Sequence, residues 1–150
     1  MSAPADSARA TTPGRDAYAE FTTLDTRWLD NDVYGHVNNV QYYSFFDTAV
    51  NRWLIERGVL DPMTSPVFGL VVETRCSYFK PVTFPERVEA GLKVAHLGRS
   101  SVRYEIGLFR KDDPEAAAAG EFTHVYVDRQ TRRPTAIPDA FRAALETLKR

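Results

Sequence analysis

The most informative segment of the sequence begins at Trp28 and reads Trp28-Leu29-Asp30-Asn31-Asp32-Val33-Tyr34-Gly35-His36-Val37-Asn38-Asn39-Val40-Gln41-Tyr42-Tyr43. It places two aspartates, a glycine, a histidine and two adjacent asparagines in one short polar segment. An apolar segment, 44–54, follows directly and has the spacing of a helix. A polar loop that leads into a buried helix indicates a site, because the first N–H groups of a helix have no intrahelical partner and bind anions.

The segment after the loop predicts one long, buried helix. Its apolar side chains recur with the spacing of a single helix face: Phe46, Ala49, Val50, Trp53 and Leu54. The aromatic residues of 42–45 make the first turns apolar on several sides, so we expect the helix to be wrapped rather than merely laid on a surface. Asn38 is the expected N-cap, with Gln41 completing a capping box, and Gly58 is the expected C-terminal stop.

Alternation of polar and apolar residues at a period of two predicts five strands. One precedes the helix and four follow it, at 18–27, 67–79, 87–97, 101–110 and 115–128. The third and fourth strands are separated only by a short turn at Gly98-Arg99, so we expect them to form a hairpin. A short terminal helix is predicted to open at Ile137-Pro138, with the proline near its first position.

These elements predict a single α+β domain. Residues 1–16 are rich in Ala, Ser, Thr and Pro and lack periodicity, so we expect a disordered tail there, followed by one domain over 17–150. A strand, a long helix and four further strands favour an antiparallel sheet with one helix lying on it. Because one helix cannot easily cover both faces of such a sheet, we expect a homodimer.

Composition argues against several classes of partner. A net charge of −1 gives no electrostatic reason for nucleic acid or an anionic membrane to bind, and no apolar run approaches the ~20 residues of a membrane span. The N-terminus lacks the basic and apolar regions of a secretory signal, so we expect a cytoplasmic protein. Cys76 is the only cysteine, which excludes an intramolecular disulfide; we expect it to be a small, buried apolar residue.

The loop from Asp30 to Asn39 has several possible roles. A calcium loop requires an oxygen ligand where Tyr34 stands and a glutamate where Gln41 stands, so that hypothesis fails. A transition-metal site would use Asp30, Asp32 and His36 but has no further obvious ligand. A carboxylate near a helix N-terminus suits acyl transfer, since it acts as base or nucleophile while backbone N–H groups hold an oxyanion. Alternatively, the polar side chains only make turn and cap hydrogen bonds.

The same loop resembles the signature of a known family. Asp30-Asn31-Asp32-Val33-Tyr34-Gly35-His36-Val37-Asn38-Asn39 with Tyr42 is similar to the D-x-D-x-x-G-H-V-N-N-x-x-Y motif of hotdog-fold acyl-CoA thioesterases of the 4-hydroxybenzoyl-CoA thioesterase type. The resemblance continues in Tyr78-Phe79-Lys80-Pro81-Val82 and Leu97-Gly98-Arg99-Ser100-Ser101. The hotdog hydratases carry D-x-x-x-x-H instead, whereas three residues separate Asp32 from His36, and the histidine motif of the fatty-acid dehydratases is absent.

This resemblance implies a hotdog fold, in which a five-stranded antiparallel sheet wraps around one long helix and pairs with a second copy, as a homodimer or homotetramer. It implies hydrolysis of acyl-CoA thioesters without a metal or cofactor. Asp32 matches the catalytic carboxylate, as nucleophile or general base, and the Asn39 N–H matches the oxyanion donor. The runner-up function is an acyl-carrier-protein thioesterase or a hotdog protein that binds a ligand without turnover.

Further residues are expected to contact the substrate. His36, Asn38 and Tyr42 belong to the same motif and are expected to shape the loop or position the acyl group. Arg99 and Ser100 are candidates for the coenzyme A phosphates. Glu73 is a rival carboxylate, although a strand glutamate that points outward is generally solvated.

Overall fold

The computed structural model describes residues 11–150. Its elements, in chain order, are β1 (Glu20–Asp25), α1 (Gln41–Glu56), β2 (Val67–Tyr78), β3 (Arg87–Leu97), β4 (Ser101–Arg110), β5 (Ala118–Asp128) and α2 (Asp139–Glu146). The strands form one sheet in the order β1-β3-β4-β5-β2, and every pair of neighbours is antiparallel. The predicted fold class is therefore confirmed: a five-stranded antiparallel sheet, one long helix and a short C-terminal helix.

The main core lies between α1 and one face of the sheet, here called the inner face. The predicted stripe of α1 is buried there, and Phe46, Ala49 and Val50 have no exposed surface. They pack in one cluster with alternate side chains of the central strands: Val88, Ala90, Leu92, Tyr104, Ile106 and Leu108. Other parts of the α1 surface stay open in a single chain. Tyr43 is 40% exposed and Ile55 is 45% exposed, so one chain does not enclose its helix completely.

The C-terminal segment closes one end of this core. Helix α2 begins just after Pro138, close to the predicted start. Its Phe141 ring contacts the Tyr126 ring with the centroids 5.2 Å apart, and Leu145 and Leu148 are fully buried. Among the described residues, no helix has the length and apolar character needed to cross a membrane.

The N-terminal segment differs from the prediction. Residues 1–10 of the expected tail lie outside the described residues, but 13–16 contact the sheet. The Ala116 N–H donates to the Pro13 carbonyl at 3.0 Å, and the Arg15 guanidinium lies 2.7 Å from the Glu89 carboxylate. From residue 13 onward, long-range contacts thus hold part of the segment expected to be a tail, although it has no periodicity of its own.

Tyr18 packs on the outer face of the sheet, opposite α1. Its ring occupies space left by two glycines on neighbouring strands: an added Cβ would lie 2.7 Å from the ring at Gly91 and 2.5 Å from it at Gly107. Phe109 meets the same ring edge to face, with the centroids 5.8 Å apart. These contacts form a small second core that covers part of the outer face.

Strand β2 is a long sheet edge with an apolar surface. It pairs with β5 on one side, and its other side has no partner strand among the described residues. Three consecutive apolar side chains are exposed along it: Leu70 by 39%, Val71 by 46% and Val72 by 60%. An unpaired apolar edge of this length is a surface on which another strand can add.

Candidate active site

The polar loop folds back on itself as a narrow hairpin. The Asn38 N–H donates to the Asp30 carbonyl at 2.8 Å, and the Asp32 N–H donates to the His36 carbonyl at 2.9 Å. The turn closes when the Gly35 N–H donates to the Asp32 carbonyl at 3.1 Å. Gly35 has φ +83°, a left-handed conformation that residues with a Cβ rarely adopt. Glycine at this position therefore permits the tight turn that follows Asp32.

The segment before β3 anchors this hairpin to the rest of the domain. The Val37 N–H donates to the Val82 carbonyl at 2.7 Å, and the Phe84 N–H donates to the Asn31 side-chain oxygen at 3.1 Å. Both bonds join residues more than 40 positions apart, so the tertiary fold as well as local turn chemistry determines the loop conformation.

Asp30 has a structural role. Its side chain is 1% exposed and accepts hydrogen bonds from the Arg27 N–H at 2.6 Å and from the Arg27 guanidinium at 2.9 Å. These contacts compensate the burial of the charge and hold the start of the loop. Within residues 11–150, no three His, Cys, Asp or Glu side chains are grouped as a metal site requires.

Asp32 presents its carboxylate to a cleft. One carboxylate oxygen accepts the Tyr34 N–H at 2.9 Å, and the other lies 3.4 Å from the Asn38 amide nitrogen. Asn38 is itself oriented, because its amide oxygen accepts the Val40 N–H at 2.9 Å. The expected capping box with Gln41 is absent: α1 starts at Gln41, and Asn38 binds a backbone N–H of the preceding turn instead.

Asn39 lies two residues before α1 and lines the same cleft as Asp32. Among the hydrogen bonds of residues 11–150, none is donated by its backbone N–H. Its carbonyl oxygen accepts the Tyr78 hydroxyl at 3.0 Å and the Tyr42 N–H at 3.3 Å. The backbone N–H of Asn39 thus has no acceptor within residues 11–150, and contacts to its carbonyl oxygen hold the residue in the wall of the cleft.

The cleft that joins these groups has a volume of about 510 Å3. Four of the predicted site residues line it: Asp32, His36, Asn39 and Tyr42. Its opposite wall is the segment from Tyr78 to Pro81, which was not predicted as part of the site although the family motif includes it. The Lys80 ammonium in this wall is held by the Asp113 carboxylate at 2.9 Å.

The hydroxyls of two tyrosines in the cleft stay protonated at neutral pH. Burial, then the nearby Cys76 thiol, raises the pKa of Tyr42 to about 12. The same two causes raise the pKa of the Tyr78 hydroxyl well above its usual value. Cys76 is half-buried against the core, as expected for an apolar role, and burial raises the pKa of its thiol to about 11, so it stays protonated at neutral pH.

The structure does not bring Arg99 and Ser100 to this cleft within one chain. They form the β3–β4 turn, which lies beside Val125 of β5, whereas the cleft lies beside Ala118 of the same strand. Seven residues of strand separate the two places, or about 23 Å. Glu73 is exposed in the middle of β2 and does not line the cleft either.

Comparison with known proteins places the fold and the motif in one family. The model of the thioesterase-like superfamily matches residues 26–145. The structure of the PA5185 protein from Pseudomonas aeruginosa strain PAO1 is 57% identical, with a TM-score of 0.91 over 93% of this chain and 97% of that one. The PA2801 protein of the same species, provisionally assigned as a thioesterase, is 32% identical, with a TM-score of 0.79 over 85% of this chain and 98% of that one.

A more distant structure shares the fold alone. The 1,4-dihydroxy-2-naphthoyl-CoA thioesterase Slr0204 from Synechocystis is 15% identical, with a TM-score of 0.75 over 83% of this chain and 93% of that one. Comparison with curated proteins gives no match. Since the family model covers most of the chain and PA5185 is similar to it over nearly its whole length, the chain has the hotdog fold and belongs to the thioesterase-like superfamily.

Proposed function

We propose that this protein hydrolyses acyl-CoA thioesters to a free acid and coenzyme A. The observation that carries the proposal is the pairing of a carboxylate and a free backbone N–H in one cleft. Asp32 supplies the carboxylate, and Asn39 supplies the N–H next to the start of α1. These are the two functions that acyl transfer requires, a base or nucleophile and a donor for the developing oxyanion.

Two routes lead to the same products. In one, the Asp32 carboxylate attacks the thioester carbonyl, the C–S bond breaks, and water then hydrolyses the mixed anhydride. In the other, Asp32 takes a proton from a water that attacks the carbonyl directly. In both routes the carbonyl oxygen becomes negative and accepts the Asn39 N–H, and the thiolate leaves and is protonated to the coenzyme A thiol. A thioester is already activated, so neither route requires a metal or cofactor.

Neighbouring side chains position the substrate. Asn38 orients Asp32 through the 3.4 Å approach of its amide nitrogen. His36 is exposed at the mouth of the cleft, where it contacts an entering substrate, and the Tyr42 ring forms part of the cleft wall. The resemblance to the family assigns these three residues to substrate binding. The position of His36 and Tyr42 in the cleft wall and the approach of Asn38 to Asp32 support that assignment.

A homodimer formed along β2 would complete the site. Two copies related by a twofold axis through the middle of β2 would pair these strands in antiparallel fashion and give one continuous sheet. The axis would also bring the partner's β3–β4 turn toward the end of the joint sheet that holds the Asp32 cleft. Arg99 and Ser100 would then come from the second copy to meet the coenzyme A phosphates. Further pairing of such dimers would give a homotetramer.

The test is thiol release from a panel of acyl-CoAs, measured with a thiol-trapping reagent. We expect release with the wild-type protein and a loss of at least ~100-fold in kcat for Asp32→Asn, because the substitution keeps the shape and removes the charge. Glu73→Gln is the matched control, since it neutralises the rival carboxylate outside the cleft, and it should retain full activity. Release that is unchanged in Asp32→Asn would refute the mechanism.

The same assay separates the alternative functions. An acyl-carrier-protein thioesterase would release thiol from acylated carrier protein with a higher kcat/KM than from the matching acyl-CoA. A protein that binds a ligand without turnover would bind acyl-CoA and release no thiol, and Asp32→Asn would leave its affinity unchanged.

A further inference from the structure

Lys80 brings a cation into the wall of the Asp32 cleft and has no role in the arrangement described so far. It lies in the segment from Tyr78 to Pro81 that forms the wall opposite the loop, and its side chain is 32% exposed. Neither the proposed base nor the proposed oxyanion donor depends on it. A partly exposed polar group in the wall of a mostly apolar cleft fixes the orientation of a ligand, so Lys80 is a candidate for contact with the substrate.

Backbone hydrogen bonds fix the position of Lys80 in this wall. The N–H groups of Phe79 and Lys80 both donate to the Ala117 carbonyl, at 2.8 and 3.0 Å. Two residues further on, the Val82 carbonyl accepts the Val37 N–H at 2.7 Å. Since Val37 belongs to the loop and also lines the cleft, this bond ties the two walls together. The main chain of Lys80 is therefore held at a set distance from the loop.

The side chain of Lys80 is fixed as well. Its ammonium donates to both carboxylate oxygens of Asp113, at 3.0 and 2.9 Å. Asp113 is itself held, because its carbonyl oxygen accepts the Arg15 Nε–H at 2.8 Å and its carboxylate accepts the Glu115 N–H at 3.0 Å. The hydrogen bond from Lys80 is also the main reason that the pKa of Asp113 lies below its ordinary value. A long side chain that is already held in this way loses less conformational freedom when a ligand binds.

The charges around the ammonium indicate what kind of group it can bind. A lysine ammonium has three N–H donors, and Asp113 accepts two of them. The third has no acceptor within residues 11–150, because the Glu115 carboxylate lies 3.7 Å away, beyond hydrogen-bond distance. Asp113 balances the charge of Lys80, and Glu115 adds a further negative charge beside it. A phosphate would meet repulsion from these carboxylates, whereas a neutral carbonyl oxygen would not, so the remaining N–H suits a carbonyl oxygen.

We propose that Lys80 binds an amide carbonyl oxygen of the pantetheine arm and thereby sets how far the thioester enters the Asp32 cleft. The inference rests on the proposed function. The pantetheine arm carries the thioester sulfur at its end and contains amide groups close to it, and coenzyme A and acyl carrier protein share this arm. Lys80 is then a substrate-binding residue, and Asp113 is the positioning residue that holds its ammonium.

Two thioesters of the same acyl group test this contact. Acyl-pantetheine has the amide groups, whereas the S-ethyl thioester has none. Lys80→Met keeps most of the stem and removes the ammonium. We expect kcat/KM for acyl-pantetheine to fall about 5- to 20-fold, mainly through KM, because a hydrogen bond from a charged donor is lost. The value for the S-ethyl thioester should not change. Lys111→Met is the matched control, since Lys111 is exposed and does not line the cleft, and it should behave as the wild type with both substrates.

Asp113→Asn tests the positioning role. The substitution keeps the shape and removes the charge that holds the ammonium. We expect kcat/KM for acyl-pantetheine to fall about 2- to 5-fold, with no change for the S-ethyl thioester. In a Lys80→Met background, Asp113→Asn should cause no further loss, because it acts through Lys80. A full further loss in that background would overturn the positioning role. If Lys80→Met lowers Tm too far for assay, Asp113→Asn carries the same comparison of substrates.

Three results would overturn the role of Lys80. An equal loss with both thioesters would mean that the ammonium acts on the reacting group. A loss with acyl-CoA and none with acyl-pantetheine would mean that it contacts a phosphate. Unchanged kcat/KM with every substrate would mean that it contacts none of them. Hydrolysis of acyl-pantetheine that continues unchanged in Asp32→Asn would instead refute the proposed function, so the two failures are distinguishable.

Discussion

The Tyr78 hydroxyl at the end of β2 donates a hydrogen bond to the Asn39 carbonyl oxygen just before α1, at 3.0 Å. This bond joins two segments that are 39 residues apart and holds Asn39, the proposed oxyanion donor, in place. Burial raises the pKa of the Tyr78 hydroxyl, so it remains a donor throughout the neutral range. The edge strand therefore positions the proposed oxyanion donor.

Removing this hydroxyl should lower kcat more than it raises KM. Tyr78→Phe keeps the ring contact with Tyr42 and removes the hydroxyl that bonds to Asn39. We expect kcat to fall about 3- to 10-fold with KM nearly unchanged, because a loosened donor affects the transition state more than the bound substrate. Steady-state kinetics on one good acyl-CoA substrate checks this. A rise in KM at constant kcat would instead indicate a direct role in substrate binding.

The two aspartates of the loop should respond in opposite ways. Asp30 is buried and bonded to Arg27, so Asp30→Asn should lower the free energy of unfolding by about 2–3 kcal/mol and Tm by about 4–12 °C. Asp32→Asn should change Tm by no more than about 2 °C while kcat falls, since Asp32 has few buried contacts. Thermal unfolding and thiol release on both variants give this comparison. Equal losses of Tm would contradict the division between a structural and a reactive carboxylate.

Gly35 allows a test of backbone conformation without steric change. An added Cβ there would have no atom within 4 Å, so Gly35→Ala differs from the wild type only in the cost of the left-handed φ of +83°. We expect a loss of about 1–2 kcal/mol in stability and lower kcat, because the turn orients Asp32. Gly35→Asn should lose less, since asparagine adopts this conformation more readily. Equal effects of the two substitutions would show that backbone strain is not the cause.

Local patterns in the sequence were sufficient for much of the fold. The strands at 87–97 and 101–110 were predicted with the bounds that the structure has, because each combines strict alternation with a clear turn at its end. The stripe of α1 was also correct, since a helix face is encoded at fixed spacing. The loop motif also located the cleft, because Asp32, His36 and Asn39 lie within a few consecutive positions and line it together.

Long-range contacts account for what the sequence did not predict. Arg15 and Tyr18 are held by partners about 70 or more positions away, which no local pattern reveals. The sequence feature that comes nearest to indicating the packing of Tyr18 is a pair of glycines, Gly91 and Gly107, which leave space on adjacent strands. Tyr78 was missed as a site residue because its role depends on the strand ending beside the helix N-terminus. The β-bulge at Val72, where the pairing of β2 with β5 shifts between Val71 and Glu73, escaped prediction. Leu70, Val71 and Val72 are all apolar, so the sequence shows no break in the alternation at that point.

A buried histidine should make stability depend on pH. His124 is 1% exposed, lies among the rings of Tyr104, Phe122 and Tyr126, and has no hydrogen-bond partner for Nδ1 within residues 11–150. Burial lowers its pKa from 6.5 to about 4. Between these two values the unfolded chain binds a proton that the folded chain does not. The contribution of His124 to the free energy of unfolding is therefore fully present above pH 6.5 and is lost as the pH falls toward 4.

The expected loss between about pH 7.5 and about pH 5 is about 2 kcal/mol of unfolding free energy, measured by urea denaturation. His124→Phe should remove most of this loss, because phenylalanine fills the same aromatic stack without titrating. His96→Gln is the matched control: His96 is exposed on β3, so its substitution should leave the pH dependence as in the wild type. If the free energy of unfolding falls with pH equally in the wild type and in His124→Phe, the histidine is protonated in the folded protein. Water or a second copy would then have to reach Nδ1.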